Sequence, residues 1–335
     1  MQTRMRWMGF TGLVLALGIT ANAAPVKVGF ILSTLQEERY QRDKKIFTET
    51  AEKMGAKVYF SSCNNNEQTQ AAEVDNLLSK GVQVLVIQPV NGDTAAAMVK
   101  QAKRDGVAVV DYDRLIRNAA IDAYITEDSE KVGELQAEAA AKFTHGKGNY
   151  VILKGQAGHS VAEARTRGIM NVLKKYPGIK IVSQQYHAGW APQLAMQTME
   201  NSLTQNKNRI DAVLANNSGM AHGAIQAIEE QKLSGKVFVA GADADLTAIR
   251  DIVAGKQQFE VQISIEEMAR KAAETAVKLA QKQPFPFDGE TDNGTGKIKT
   301  LHSPVFPVEL KTVEERIIKT GFHSREAVYG KTASR

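Results

Sequence analysis

The sequence predicts an α/β protein of two similar, doubly wound parallel-sheet lobes joined by a multi-strand hinge, with a ligand cleft between them. Three observations lead there. Strand-like runs of about four to seven residues alternate with helical segments of about a dozen, which is the pattern of parallel sheets built from βα units. Runs such as Val84-Leu-Val-Ile and Val107-Ala-Val-Val are continuously apolar, as strands buried on both faces must be. The alternation stops near Glu127 and then begins again, and 335 residues leave room for two domains of roughly 150.

In chain order, residues 26–32 form the first strand. Residues 39–55 are helical, with Ile46, Phe47, Ala51 and Met54 at helix spacing and Gly55 ending the helix. A strand over 57–60 runs into the polar stretch 61–66, and a helix over 67–80 stops at a glycine. Strand 84–87 is closed by Pro89, helix 93–105 leads to the strand at Val107, and 121–126 is the fifth strand. The second set has helices over 130–143, 161–176, 192–204 and 221–231. Its strands cover 149–153, 180–185, 210–215, 236–241 and 259–263, and the alanine-rich helix 266–281 follows. Residues 288–296 read as a loop, 302–310 as an extended tail with Pro304 and Pro307, and 313–320 as a closing helix. The expected division is a first lobe of 24–127 plus 260–290 and a second of 128–259 plus 291–335.

The N-terminus reads as an export signal over residues 1–23. Arg4 and Arg6 precede a short apolar run, and Ala21-Asn22-Ala23 suits cleavage after Ala23. The apolar run is too short to span a bilayer. Removing two arginines and no acid takes the net charge from +5 to +3. No basic block interleaved with aromatics is present, so nucleic-acid binding is not expected. The single cysteine, Cys63, cannot form an internal disulfide, so the core must carry stability.

Nothing in the sequence calls for catalysis. Phosphate-binding glycine loops, a G-x-S-x-G elbow and H-E-x-x-H are all missing, and the six histidines are scattered. No enzyme activity, cofactor or metal is expected. What stands out is polar residues at the C-terminal ends of strands, the edge where open α/β sheets bind ligands. Arg39 and Tyr40 follow the first strand, Asp113 and Arg114 the fourth, and Asn217 and Asp243 end two strands of the second set. Trp190 lies in a loop. A carboxylate beside a guanidinium offers acceptors and forked donors together, which suits a neutral molecule rich in hydroxyls. An aromatic ring can cover the C–H face of a sugar. Each residue also has a plainer reading: Asp113–Arg114 a surface ion pair, Trp190 a plug between lobes, and Asn217 and Asp243 helix caps.

At these residues the chain resembles the periplasmic sugar-binding proteins of ABC transporters, above all the D-xylose-binding group, with its type I periplasmic-binding-protein fold. The matching stretches include Glu38-Arg-Tyr-Gln-Arg-Asp43, Val84-Leu-Val-Ile-Gln-Pro89, Asp111-Tyr-Asp-Arg-Leu-Ile116, Glu130-Lys-Val-Gly-Glu-Leu-Gln-Ala137 and Gly241-Ala-Asp-Ala-Asp245. The resemblance implies a periplasmic, monomeric receptor that closes on one monosaccharide and delivers it to permease subunits in the inner membrane. It implies ligand contacts at Arg39, Tyr40, Asp113, Arg114, Asn217 and Asp243, with Trp190 stacking. His159 falls where the group has an aspartate, Val161 where it has an asparagine and Ile263 where it has a lysine. A hydroxyl facing Val161 and Ile263 without a partner would cost roughly 1–3 kcal/mol. The implied ligand is therefore xylose, a related pentose or hexose, or a deoxy sugar. Two other outputs share this architecture: signalling to a membrane chemoreceptor or sensor kinase, and the effector domain of a transcription repressor.

Overall fold

The computed structural model describes residues 24–330. The expected export signal and its cleavage site lie outside the described residues. Two sheets organise the rest. The first contains β1 (Val26–Leu32), β2 (Ala56–Ser62), β3 (Val84–Ile87), β4 (Ala108–Tyr112) and β5 (Ala123–Glu127). Its helices are α1 (Glu38–Lys53), α2 (Glu67–Ser79) and α3 (Ala95–Arg104). The second contains β6 (Lys147–Lys154), β7 (Gly178–Tyr186), β8 (Ala212–Ala215), β9 (Phe238–Ala242) and β10 (Phe259–Ile263). Between and after these run α4 (Ser129–Phe143), α5 (Ser160–Leu173), α6 (Pro192–Gln205), α7 (Ser218–Glu230), α8 (Leu246–Val253) and α9 (Ile265–Ala280). The chain ends with β11 (Gly289–Asp292), β12 (Lys297–Ser303), β13 (Val305–Val308) and the short helix α10 (Arg325–Tyr329).

Strand order is β11-β12-β5-β4-β3-β1-β2 in the first sheet and β13-β10-β9-β8-β6-β7 in the second. All pairs are parallel except β11 with β12 and β10 with β13. All four residues of β3 are buried, as its continuous apolar run requires. Alternate side chains of β1 serve different faces. Val28, Phe30 and Leu32 belong to one core cluster with Phe47 of α1 and Ala272 of α9, while Ile31 belongs to another with Val74 of α2 and Val99 of α3.

The sheets correct the expected division. Strand β10 pairs with β9 in the second sheet, so the crossover placed at residue 260 falls at Ser264. Strand β12 pairs with β5 in the first sheet, so residues 291–303, expected in the second lobe, belong to the first. The segment 288–296, expected as a loop, contains β11, and 313–320 forms a π-helical turn over Glu314–Ile318. Among the described residues the chain crosses between lobes three times: after β5, at Ser264 and at Pro304. The last two crossings touch, Ser264 N donating to Pro304 O at 3.1 Å.

The lobes lie shut on one another. Leu246 N at the start of α8 donates to Glu38 Oε2 of α1 at 2.9 Å. Leu115 N donates to Ser160 Oγ at 2.8 Å, and Arg117 donates to Glu163 at 2.8 Å. No helix among the described residues is long and apolar enough to cross a membrane.

Candidate functional site

The ends of β1, β3 and β4 face the ends of β6, β8 and β9 across the closed cleft. Between them is a narrow cavity with about 20 Å³ of free volume. Its walls include Arg39, Tyr40, Asp113 and Arg114 from the first lobe, and Trp190, Asn217 and Asp243 from the second. Seven of the eight residues singled out in the sequence thus meet at one point.

Asp113 occupies a tight turn. Its φ is +69°, and Arg114 N donates back to Tyr112 O at 2.7 Å. A non-glycine residue rarely adopts that backbone, and here Asp113 N holds it by donating to Ile125 O at 2.7 Å. Trp190 (φ +56°) and Asp243 (φ +98°) are left-handed too. Three wall residues therefore carry backbone strain that the surrounding structure maintains.

The side chains form a buried charge network. Gln88 Nε2 donates to Asp113 Oδ2 at 2.7 Å, and its Oε1 accepts from Ser33 Oγ at 2.8 Å. Arg114 donates to Ser33 Oγ and to Tyr40 Oη, both at 3.0 Å. Arg39 lies 3.3 Å from Asp113 and 3.4 Å from Asp43. Tyr112 Oη donates to the other oxygen of Asp43. Burial pushes the Asp113 carboxyl up, but Arg39, Arg114 and Gln88 outweigh it and hold it below the ordinary carboxylate range. At Asp43 burial wins over Arg39, and the carboxyl rises to about 6. The Asp113–Arg114 pair is not on the surface: both residues are buried.

Arg165 of α5 occupies the second-lobe side. It donates to Asp243 Oδ1 and Glu127 Oε1, each at 3.0 Å, and to Asn216 O. It reaches the cleft because Gly133 and Gly168 bring α4 and α5 into backbone contact; a Cβ at Gly133 would overlap the Arg165 carbonyl. Asn217 caps α7, its Oδ1 accepting from Met220 N at 2.9 Å, and also lines the cavity, so both readings of it hold. Asp243 caps nothing; the residue before α8 is Asp245.

His159 does not line the cavity, contrary to expectation. Its ring is engaged elsewhere: Nδ1 accepts from Trp190 Nε1 at 2.9 Å, and Nε2 meets Val90 O of the first lobe at 2.8 Å. Burial drives its pKa down to about 3, and Arg114 adds to the effect, so the imidazole is neutral and donates from Nε2. It fixes the Trp190 indole, which packs against Gly155 so closely that no Cβ fits there. Ile263 is likewise absent from the wall; it ends β10, pairs with Val305 and is fully buried. Val161 does line the cavity, one turn before Arg165.

Four functional residues escape the sequence reading. Glu37 and Arg165 line the cavity, Gln88 orients Asp113, and Glu127 anchors Arg165. Burial raises the Glu37 carboxyl to about 7 against the pull of Arg114. Glu37 Oε2 and Asp113 Oδ1 are buried without a hydrogen-bond partner among the described residues, and both can accept from ligand hydroxyls. The available signal for Arg165 was its four-residue spacing from Val161, which sets both on one helix face.

A closed cleft between two βα lobes, walled by acids, guanidinium groups and aromatics, defines a receptor for a small polar solute. The chain belongs to the periplasmic binding protein family: the periplasmic binding protein domain matches over residues 28–284. It is 42% identical to a D-xylose-binding periplasmic protein of Escherichia coli (strain K12), covering 92% of this chain and 94% of that protein. It is 38% identical to a D-xylose-binding periplasmic protein of Haemophilus influenzae over 98% of this chain and 100% of that one. Among solved structures, a carbohydrate transporter solute-binding protein from Chloroflexus aurantiacus in complex with D-glucose superposes with a TM-score of 0.84 at 27% identity. The match covers 90% of this chain and 97% of the other.

Proposed function

We propose that the protein is an exported, periplasmic sugar receptor that captures one monosaccharide and presents it to an ABC transporter in the inner membrane. The observation that carries this reading is the cavity itself. It is small and shut, with forked cationic donors (Arg39, Arg114, Arg165) set against carboxylate acceptors (Asp113, Asp243, Glu37) and beside two aromatic rings. Each sugar hydroxyl both donates and accepts, so a wall of alternating donors and acceptors satisfies it without a net charge on the ligand. Both D-xylose-binding relatives support a pentose as first choice. Val161 is the one apolar residue of the wall at an expected polar position, while Arg165, one turn on along the same helix, and Glu37, across the cleft on the first lobe, supply polar capacity.

The receptor does not act as an enzyme in this reading, because the cavity's acids are committed to arginines or set to accept from hydroxyls. A thermal-shift screen over D-xylose, other pentoses, hexoses and deoxy sugars tests the proposal. A sugar at a hundredfold its Kd adds about 2.7 kcal/mol of stability. A folded protein whose melting temperature moves with none of them would refute it.

A further inference from the structure

One hydrogen-bonded chain crosses the cleft through an imidazole. Trp190 Nε1, on the second lobe, donates to His159 Nδ1 at 2.9 Å, and His159 Nε2 meets Val90 O of the first lobe at 2.8 Å. Both ends are fixed. Val90 follows β3 in a loop that Gln70 of α2 clips twice, donating to Gln88 O at 2.8 Å and accepting from Val90 N at 2.9 Å. His159 is the residue before α5, and its carbonyl accepts from Glu163 N at 3.1 Å. The loop carrying Trp190 is tied to the same lobe by Gly189 N, which donates to Gln156 Oε1 at 2.9 Å. The imidazole is buried and lies outside the cavity wall.

The two partners dictate the state of this imidazole. An indole N–H can only donate and a carbonyl can only accept, so the closed cleft takes the ring with its proton on Nε2 and a lone pair on Nδ1. A second proton, on Nδ1, would set N–H against N–H at 2.9 Å. Opening the lobes carries Val90 away and leaves the ring facing a water-filled cleft, where it can take that proton. The charged groups that face it are Arg114 and Asp113 of the first lobe. On its own helix the first charged side chain is Glu163, which is paired with Arg117 at 2.8 Å, and Trp190 brings no charge. Burial and the Arg114 guanidinium drive the closed ring down to about 3, against the weaker pull of the Val90 carbonyl and Asp113.

We propose that His159 is a proton-sensitive latch: the lobes close on a sugar, with Trp190 set in place, only while this imidazole is neutral, and acidification opens the receptor and releases the sugar. This rests on the sugar-receptor reading and adds a control to it. His159 is here a positioning residue, acting through Trp190 and Val90 rather than by touching the ligand. A proton binds the open form at the ordinary histidine value of 6.5 and the closed form only at about 3. The latch is therefore fully present above about 6.5 and is lost as pH falls below it. With the closure-competent fraction set by the neutral ring, the apparent Kd rises about thirtyfold between pH 8 and pH 5.

Ring titration and sugar affinity test this in the mature chain, in which Trp190 is the only tryptophan. The probes are D-xylose, L-arabinose, D-ribose and D-glucose. Nitrogen-resolved NMR of the six histidines, with the His159 signal identified by its absence from His159→Gln, should show this ring titrating near 6.5 in the free protein. With the best sugar bound it should stay neutral down to pH 5. Calorimetry of the parent should show its affinity falling about thirtyfold from pH 8 to pH 5, with Trp190 emission moving toward that of the free protein. His159→Gln and His159→Asn, whose amides supply an acceptor and a donor but no titrating proton, should each lose less than about threefold over the same range. Glu37 and Asp43 carry raised carboxyls that also titrate there, and the variants share both with the parent. A parent affinity that changes less than about threefold, a ring that titrates alike in free and bound protein, or variants that fall in parallel with the parent would each overturn the latch and leave the receptor standing. A folded parent that binds none of the four sugars at pH 8 overturns both readings together.

Discussion

Replacing Arg114 by alanine removes the donor that the geometry places most firmly in the cavity. The guanidinium is buried, and it donates to Tyr40 Oη and Ser33 Oγ at 3.0 Å and to Pro89 O at 3.4 Å. These bonds fix its plane and leave the rest of the fork for the ligand. A hydrogen bond from a charged group contributes about 1.5–3 kcal/mol. Losing one such contact to a sugar oxygen, with some loosening of Tyr40, should cost about 2–3 kcal/mol of binding, roughly 30- to 150-fold in Kd. Asp113 keeps Arg39 at 3.3 Å, so the variant should fold. Arg114→Lys should not restore affinity, because an ammonium cannot serve Tyr40, Ser33 and a ligand from one plane. Calorimetry of the three proteins with the best sugar, each checked by thermal melting, measures this. If Arg114→Ala binds as tightly as the parent, the assignment of this cavity as the sugar site is wrong.

Arg165→Ala should destabilise the fold by about 3–5 kcal/mol, since it leaves Glu127 and Asp243 buried beside each other without their cation. Urea denaturation would show it, and a loss under about 1 kcal/mol would mean the network is not structural. Gly155→Ala should displace Trp190 and weaken sugar binding with a smaller effect on stability; unchanged calorimetry would contradict the packing argument. Glu37 supplies a pH dependence. Its carboxyl is raised by burial from an ordinary 4.5 to about 7, with Arg114 and Arg39 opposing and Asp243 and Asp113 assisting. The folded state therefore holds this proton more tightly than the unfolded chain does. The Glu37 contribution to stability is fully present below pH 4.5 and is lost as pH rises through about 7. Glu37→Gln should flatten the stability profile across that window, measured by denaturation at pH 5, 6, 7 and 8. A profile identical to the parent's would remove Glu37 as its source.

The strands were legible because burial on both faces leaves a plain mark: β3 and β4 are apolar runs that end in polar residues. The ends of β4, β8 and β9 also gave away Asp113, Arg114, Asn217 and Asp243, since strand direction alone puts each at the C-terminal edge of its sheet. Strand β11 was hidden because Gly289-Glu-Thr-Asp292 carries no apolar residue; it is an edge strand held only by β12. The sheet to which β10 belongs was equally hidden. Phe259-Glu-Val-Gln-Ile263 has an apolar pattern that fits either lobe, and its Glu260 looks like a solvated residue. In the fold Glu260 is fully buried against Ser218 and Gln257, and burial raises its carboxyl to about 8. Arg165 and Glu37 were missed for a related reason. One sits within a helix and the other in a loop, and only the packing of α4 on α5 and the closure of the lobes bring them to the ligand. His159 was misplaced because the sequence shows its position along the chain, whereas its role depends on reaching Trp190 and Val90 in space.

The central claim is that one sugar ring sits in the inner cavity, between the Asp113–Arg114 turn and Trp190. A crystal structure of the mature protein with the sugar that most raises its melting temperature tests this most directly. The account predicts a ring against the face of Trp190, hydroxyls on Asp113 and Arg114, and Arg165 within hydrogen-bond reach. A sugar bound elsewhere, with Asp113 and Arg114 touching only each other and the protein, would contradict it.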